Sequence, residues 1–266
     1  MIKNATLLVL SLLSSQVYGQ GNFEYISDQE YVQFAAMDTW QDYTVMVGKR
    51  GTCSQPYLEV INDSGHFSAA WAPYSCASCS LTDVIWHAAD TITILGFFNL
   101  SDDVSFDEDG LWLMQFDPQG NLHRQLKIDS LPGYSQDTRM RRWADGTFSI
   151  THQNYFIRVD QDLELFTVHE YDLGFSVYHF SDHALLNDTT LLLLGWTGLM
   201  VGTTTGEILD TLATAGSVSS ELSIHGDTAY FSAGGKDHWF SVEGGLESEP
   251  ATEFFGYFWS GGQRFA

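Results

Sequence analysis

Basic residues are scarce. The chain carries 11 Lys and Arg against 34 Asp and Glu, a formal net charge of −23. A surface of that sign repels nucleic acid and anionic lipid, so DNA and RNA binding are excluded as functions. Proline is rare too, at 5 residues, while glycine is frequent at 24. That balance suits many short strands joined by tight turns. No helix-length amphipathic segment follows the first nineteen residues, and no later apolar run is long enough to span a membrane. No G-x-S-x-G, P-loop or dinucleotide fingerprint occurs. Only three cysteines are present, Cys53, Cys76 and Cys79. Cys76-Ala-Ser-Cys79 has zinc-like spacing but lacks a second motif and a fourth ligand.

What is present begins with an export signal. Met1-Ile2-Lys3-Asn4 supplies the positive charge, Ala5–Leu13 the apolar run, and Val17 and Gly19 the small residues of a cleavage site. Residues 1–19 are therefore read as a signal peptide, the alternative being an uncleaved anchor, and 20–266 as one mature domain. The expected location is secreted, periplasmic or extracellular. An oxidising compartment predicts a disulfide from Cys53 to Cys76 or Cys79, with one thiol left over.

The mature chain repeats itself. An Asp stands at or just before a turn into an apolar strand five times: Asp42 before YTVMVG, Asp90 before TITILG, Asp145 before GTFSI, Asp188 before TTLLLLG and Asp227 before TAYFSAG. The separations are 48, 55, 43 and 39 residues. A second turn follows in each unit, at Asn62-Asp63-Ser64-Gly65, Asp117-Pro118-Gln119-Gly120, Asp160-Gln161-Asp162, Thr204-Thr205-Gly206 and Glu243-Gly244-Gly245. A period near 40–50 with about four strands per unit marks a β-propeller blade. The expected fold is all-β: a propeller of five blades, or six if a terminal piece completes another, with four antiparallel strands per blade. A two-sheet sandwich is the structural alternative. Phe23–Ile26 or the tail would supply the closing strand, and Phe254–Trp259 reads as one more strand.

The leader MIKNATLLVLSLLSSQVYGQ followed by five Asp-led strands resembles secreted β-propeller proteins of uncharacterised function, a kind common in Bacteroidetes. Many of these end in a type IX secretion sorting domain. This chain ends at FFGYFWSGGQRFA, where no such domain is expected.

The resemblance also directs attention to one face. Propellers bind ligands where the innermost strands begin, and those starts carry Asp83, Asp137 and Glu221 here. Three carboxylates around an axial mouth would suit a hard cation or acid–base work on a sugar. Five-bladed glycoside hydrolases place acids on their first three blades, whereas unit one here has Ala35 or Ala36. Thr138–Trp143 holds three of the seven arginines. Arg139 and Arg141 share a strand face, and arginine beside Trp143 seats a carboxylate, phosphate or sulfate, or pairs with internal acids. Trp86, His87 and Trp143 near strand ends suit sugar stacking, or else lie in the core.

The acidic insertion Asn99–Gly110 lacks the D-x-D-x-D-G ligand order. No cofactor is expected, calcium on that loop being the one candidate. These features predict a secreted, non-catalytic module that binds a glycan, peptide or partner protein. The alternative is a carbohydrate-active hydrolase or lyase of the five-bladed type.

Overall fold

The computed structural model of the chain describes residues 32–50, 55–62, 67–71, 78–99, 109–129, 131, 138–171, 179–195, 198–213, 222–250, 258–260 and 263–265. The signal-like segment, Cys53, Cys76, Asp137, Glu221 and most of the acidic insertion lie outside these residues, and of Cys79 only the backbone is described. Among the described residues no helix is long and apolar enough to cross a membrane.

The chain forms five four-stranded antiparallel sheets, each from consecutive strands. Sheet 1 holds β1 (Val32–Trp40), β2 (Tyr43–Arg50), β3 (Gln55–Asn62) and β4 (Phe67–Trp71). Sheet 2 holds β5 (Ser78–Ala88), β6 (Thr91–Asn99), β7 (Asp109–Phe116) and β8 (Leu122–Asp129). Sheet 3 holds β9 (Arg139–Arg142), β10 (Phe148–His152), β11 (Tyr155–Val159) and β12 (Leu165–Glu170). Sheet 4 holds β13 (Phe180–Leu185), β14 (Thr190–Gly195), β15 (Gly198–Thr203) and β16 (Ile208–Ala213). Sheet 5 holds β17 (Ser223–His225), β18 (Thr228–Ala233), β19 (Lys236–Ser241) and β20 (Gly245–Pro250). These are the five repeat units of the sequence. The tail differs from expectation: β21 (Phe258–Ser260) and β22 (Gln263–Phe265) pair with each other, so a short hairpin replaces the single strand.

The turn markers have a local cause. An Asx side chain accepts backbone N–H groups two to four residues on and so pre-forms the turn. Asp145 Oδ1 takes the Thr147 N–H at 2.9 Å and its hydroxyl at 2.7 Å, and these bonds, the hydroxyl first, hold its carboxyl below the usual range. Asp117 and Asp160 repeat the device at the later turns. In unit four Asn187, rather than the neighbouring marker Asp188, accepts from Thr189 and Thr190. Gly206 closes that unit's second turn at φ +94°, with the His169 ring where a Cβ would stand.

The second strands read as continuous apolar runs because both their faces are covered. Val45 and Val47 pack with Ile92 and Ile94 between sheets 1 and 2. Leu95 and Phe97, facing the other way, pack with Phe148 and Ile150 between sheets 2 and 3. Leu191 and Leu193 join Trp143 and Phe156 of sheet 3, and Leu192 and Leu194 join Ala229 and Phe231 of sheet 5. Each core cluster thus bonds one sheet to the next, and alternate residues of one strand serve two junctions. At the periphery the pattern relaxes: in β8 Leu122–Gln125 are all exposed. Face-to-face sheets in chain order make a β-propeller-like fold.

The first strands carry a polar counterpart of these contacts. Asp38 Oδ2 accepts the Trp86 N–H at 2.7 Å, linking sheets 1 and 2. Asp83 Oδ2 accepts the Met140 N–H at 2.8 Å, linking sheets 2 and 3. Asp182 Oδ2 accepts the Leu222 N–H at 2.8 Å, linking sheet 4 to the entry of sheet 5. In each case the other oxygen takes the N–H of the next residue, at 2.8–2.9 Å. At the junction of sheets 3 and 4 the Arg141 side chain reaches Asp182 instead.

Candidate functional site

All five first strands, with residues beside them, border one cavity of about 680 Å³. Its charged lining is Asp83, Arg139, Arg141 and Asp182. The two arginines stand two residues apart on β9 and share its inner face, as the strand period requires. Asp83 and Asp182 each follow a β-bulge at a buried hydroxyl residue. Thr82 and Ser181 donate to Leu95 O and Leu194 O across their sheets, at 3.3 and 3.2 Å. The bulge re-aims the next side chain toward the centre.

Asp182 is fixed. It is 2% exposed, and Arg141 grips it with Nε to Oδ1 at 3.2 Å and Nη2 to Oδ2 at 2.6 Å. Arg141 Nη2 also donates to Leu222 O at 3.0 Å. Among the described residues no hydrogen bond reaches Nη1 of this guanidinium, and the Arg141 side chain, which lines the cavity, is 40% exposed. Asp83 holds two N–H groups, yet burial pushes its carboxyl up to about 6 against the lowering effect of those bonds and of Arg139 and Arg141. It therefore changes charge close to neutrality. Arg139 differs from both: among the described residues no hydrogen bond or ion pair reaches its guanidinium, which acts on Asp83 only through space.

The sequence-derived candidates separate into two groups. Asp83, Arg139 and Arg141 meet at the cavity. Trp86, His87 and Trp143 lie apart from it. Trp86 is buried, its Nε1 donating to Ala88 O at 2.8 Å. His87 Nε2 sits 2.9 Å from Thr93 Oγ1 and the ring meets Phe148 edge-on; burial, then the Arg142 charge, lowers its pKa. Trp143 stands one residue past β9 and turns into the core between sheets 3 and 4, with the Arg158 guanidinium 4.0 Å over its ring. Asp137 and Glu221 lie outside the described residues.

Asp182 was not among the candidates. Its signal was a spacing. Asp83, Arg139 and Asp182 each follow a Thr or Ser and stand 8 residues before the Thr that opens the second strand, Thr91, Thr147 and Thr190. Their pairing partners, Leu95, Thr151 and Leu194, are equivalent. Arg139 thus occupies the place that an aspartate fills in sheets 2 and 4, and Ala36 fills it in sheet 1 through its pairing with Val47.

A second polar cluster lies behind the cavity. Ser149 Oγ is 2.6 Å from His183 Nε2, and Thr151 Oγ1 is 3.1 Å from Nδ1. The distances suit a nucleophile and base, but all three residues are 0% exposed. Burial pushes His183 down to about 3, so it is neutral. The trio is a sealed polar strut between sheets 3 and 4.

No family model matches the chain, and no curated protein matches it. Solved structures do. A protein of unknown function from Bacteroides caccae aligns at TM-score 0.56 and 9% identity, over 86% of this chain and 85% of its own. The AfRom2 CNH domain aligns at TM-score 0.51 and 9% identity, over 84% and 72%. At such identities the likeness is one of fold.

Proposed function

We propose that this chain is a secreted, non-catalytic binding module: a closed ring of five blades whose ligand enters the central cavity. The carrying observation is that the first strands of all five sheets border one cavity, and that it holds an arginine, Arg139, with no hydrogen-bond or ion-pair partner among the described residues, in a chain of net charge −23. Closure of sheet 5 on sheet 1 is supported by the far face of sheet 1, where Met46, Tyr57 and Ile61 are buried although the core shared with sheet 2 uses Val45, Val47, Leu58 and Val60. Secretion follows from the leader, and with it the disulfide from Cys53 to Cys76 or Cys79. Calcium, if any, would sit on the acidic insertion.

The second reading, a carbohydrate-active hydrolase or lyase, is favoured by Asp83 alone, whose raised pKa suits a general acid. Glycoside hydrolysis needs a second carboxyl at a set separation. Asp182, the other carboxyl lining the cavity among the described residues, is tied by Arg141 and two N–H groups, which leaves it poorly placed to act as base or nucleophile. A glycan and peptide array beside an oligosaccharide turnover panel, with and without calcium, separates the two. Binding without turnover is expected. Turnover abolished by Asp83→Asn would establish the enzyme instead.

A further inference from the structure

We infer that the central cavity selects a small ligand bearing an oxyanion on an apolar body, with Arg139 as the group that seats the oxyanion. This deepens the binding-module reading and rests on it. The volume of about 680 Å³ falls in the range of small-molecule sites, too small for a folded partner. Arg139 is half-buried and no acid among the described residues contacts its guanidinium, so an anion arriving in the cavity gains a charge-assisted partner there. Its neighbour adds to the seat. Arg141 is held rigid by Asp182 and Leu222 O, so its free Nη1 is already oriented and little side-chain entropy is lost when it binds. Two guanidinium groups on one strand face suit the planar or tetrahedral oxygens of carboxylate, sulfate or phosphate. They also disfavour a cation.

One exposed apolar side chain calls for an apolar body. Met37 is 68% exposed at the cavity, more than any other large apolar side chain among the described residues, whereas Leu222 and Ile224, which also border the cavity, pack in the core of sheets 4 and 5. Methionine is flexible and polarizable, which suits a wall that must fit varied shapes. Trp86 and Trp143 are both in the core, so among the described lining residues Tyr230, half-buried, is the one Phe, Tyr or Trp ring that a sugar could meet.

The test uses the mature chain labelled at its methionine methyl groups, since Met37 is exposed at the cavity, while Met140, between the two arginines on β9, turns its side chain into the core and reports on the fold. Hexanoate, hexyl sulfate, hexyl phosphate, hexanol and hexylamine are titrated to millimolar concentration. The three anions should move the Met37 signal, and their order of affinity names the oxyanion. Hexanol and hexylamine should not move it. Arg139→Ala should weaken anion binding roughly tenfold or more, and Arg139→Lys should restore part of it. An unliganded Arg139→Ala spectrum matching the parent shows that the fold is intact.

The inference is overturned if hexanol or hexylamine binds as well as the anions, if no anion moves the Met37 signal, or if Arg139→Ala binds anions unchanged. Should glycan fragments or peptides move that methyl group instead, the ligand class is wrong and the binding site stands. If no ligand of any class moves it, the binding-module reading falls as well.

Discussion

Replacing Asp182 by alanine is expected to cost about 3 kcal/mol of folding stability, far more than a typical carboxylate on so acidic a protein. The carboxylate holds four donors: Arg141 Nε and Nη2, the His183 N–H and the Leu222 N–H. Two of these are buried backbone groups that alanine leaves without an acceptor. Arg141 is 40% exposed and can turn to water, which keeps the loss below that of a fully buried ion pair. Asp182→Asn should cost less, about 1–2 kcal/mol, because one oxygen remains. Urea denaturation of the parent and both variants measures this. A loss under about 1 kcal/mol for the alanine variant would show that the first strands are not joined by this carboxylate.

Phe156→Ala should cost still more, about 4 kcal/mol. Phe156 is 0% exposed and packs with Trp143, Phe180, Leu191 and Leu193, which come from both sheets of the junction. Its ring also meets His183 edge-on at 5.9 Å. Alanine would open a void beside a buried neutral imidazole and weaken the contact between sheets 3 and 4. Phe156→Leu, which keeps most of the volume, should cost about 1.5 kcal/mol or less. Equal losses for the two variants in thermal or urea unfolding would mean that the junction does not depend on this ring.

The second and third strands were legible because two physical signals coincide there. Runs such as Thr91–Phe97 and Thr190–Gly195 are covered on both faces, so they are apolar apart from Thr91, Thr93 and Thr190, and Asp or Asn turns bound them. First strands were harder. β1 alternates between half-buried and exposed and shows no apolar run, while β13 is buried from Phe180 to Ala184 yet carries Ser181, Asp182 and His183 there. The bulges before Asp83 and Asp182 shift the register by one residue, which strict alternation does not reveal. This is why Asp83 was found by its distance to a turn while Asp182 was missed. Strand parity did place Arg139 and Arg141 together. It did not place Trp86 or Trp143, because a strand-end tryptophan can turn into either neighbouring core, and the area buried there exceeds what a cavity wall offers. The tail was legible as strand but not as a self-paired hairpin, since the choice of partner depends on edges the sequence does not display.

The central claim is that the inner strands of five blades close on one ligand cavity. It is tested most directly by photo-affinity labelling with an alkyl carboxylate bearing a diazirine at its apolar end, followed by peptide mapping. The account predicts attachment to β1 and to the Leu222–His225 segment, at the two ends of the ring, with loss of labelling when excess hexanoate competes. Labelling confined to outer strands or to one sheet, or none at all, would contradict it.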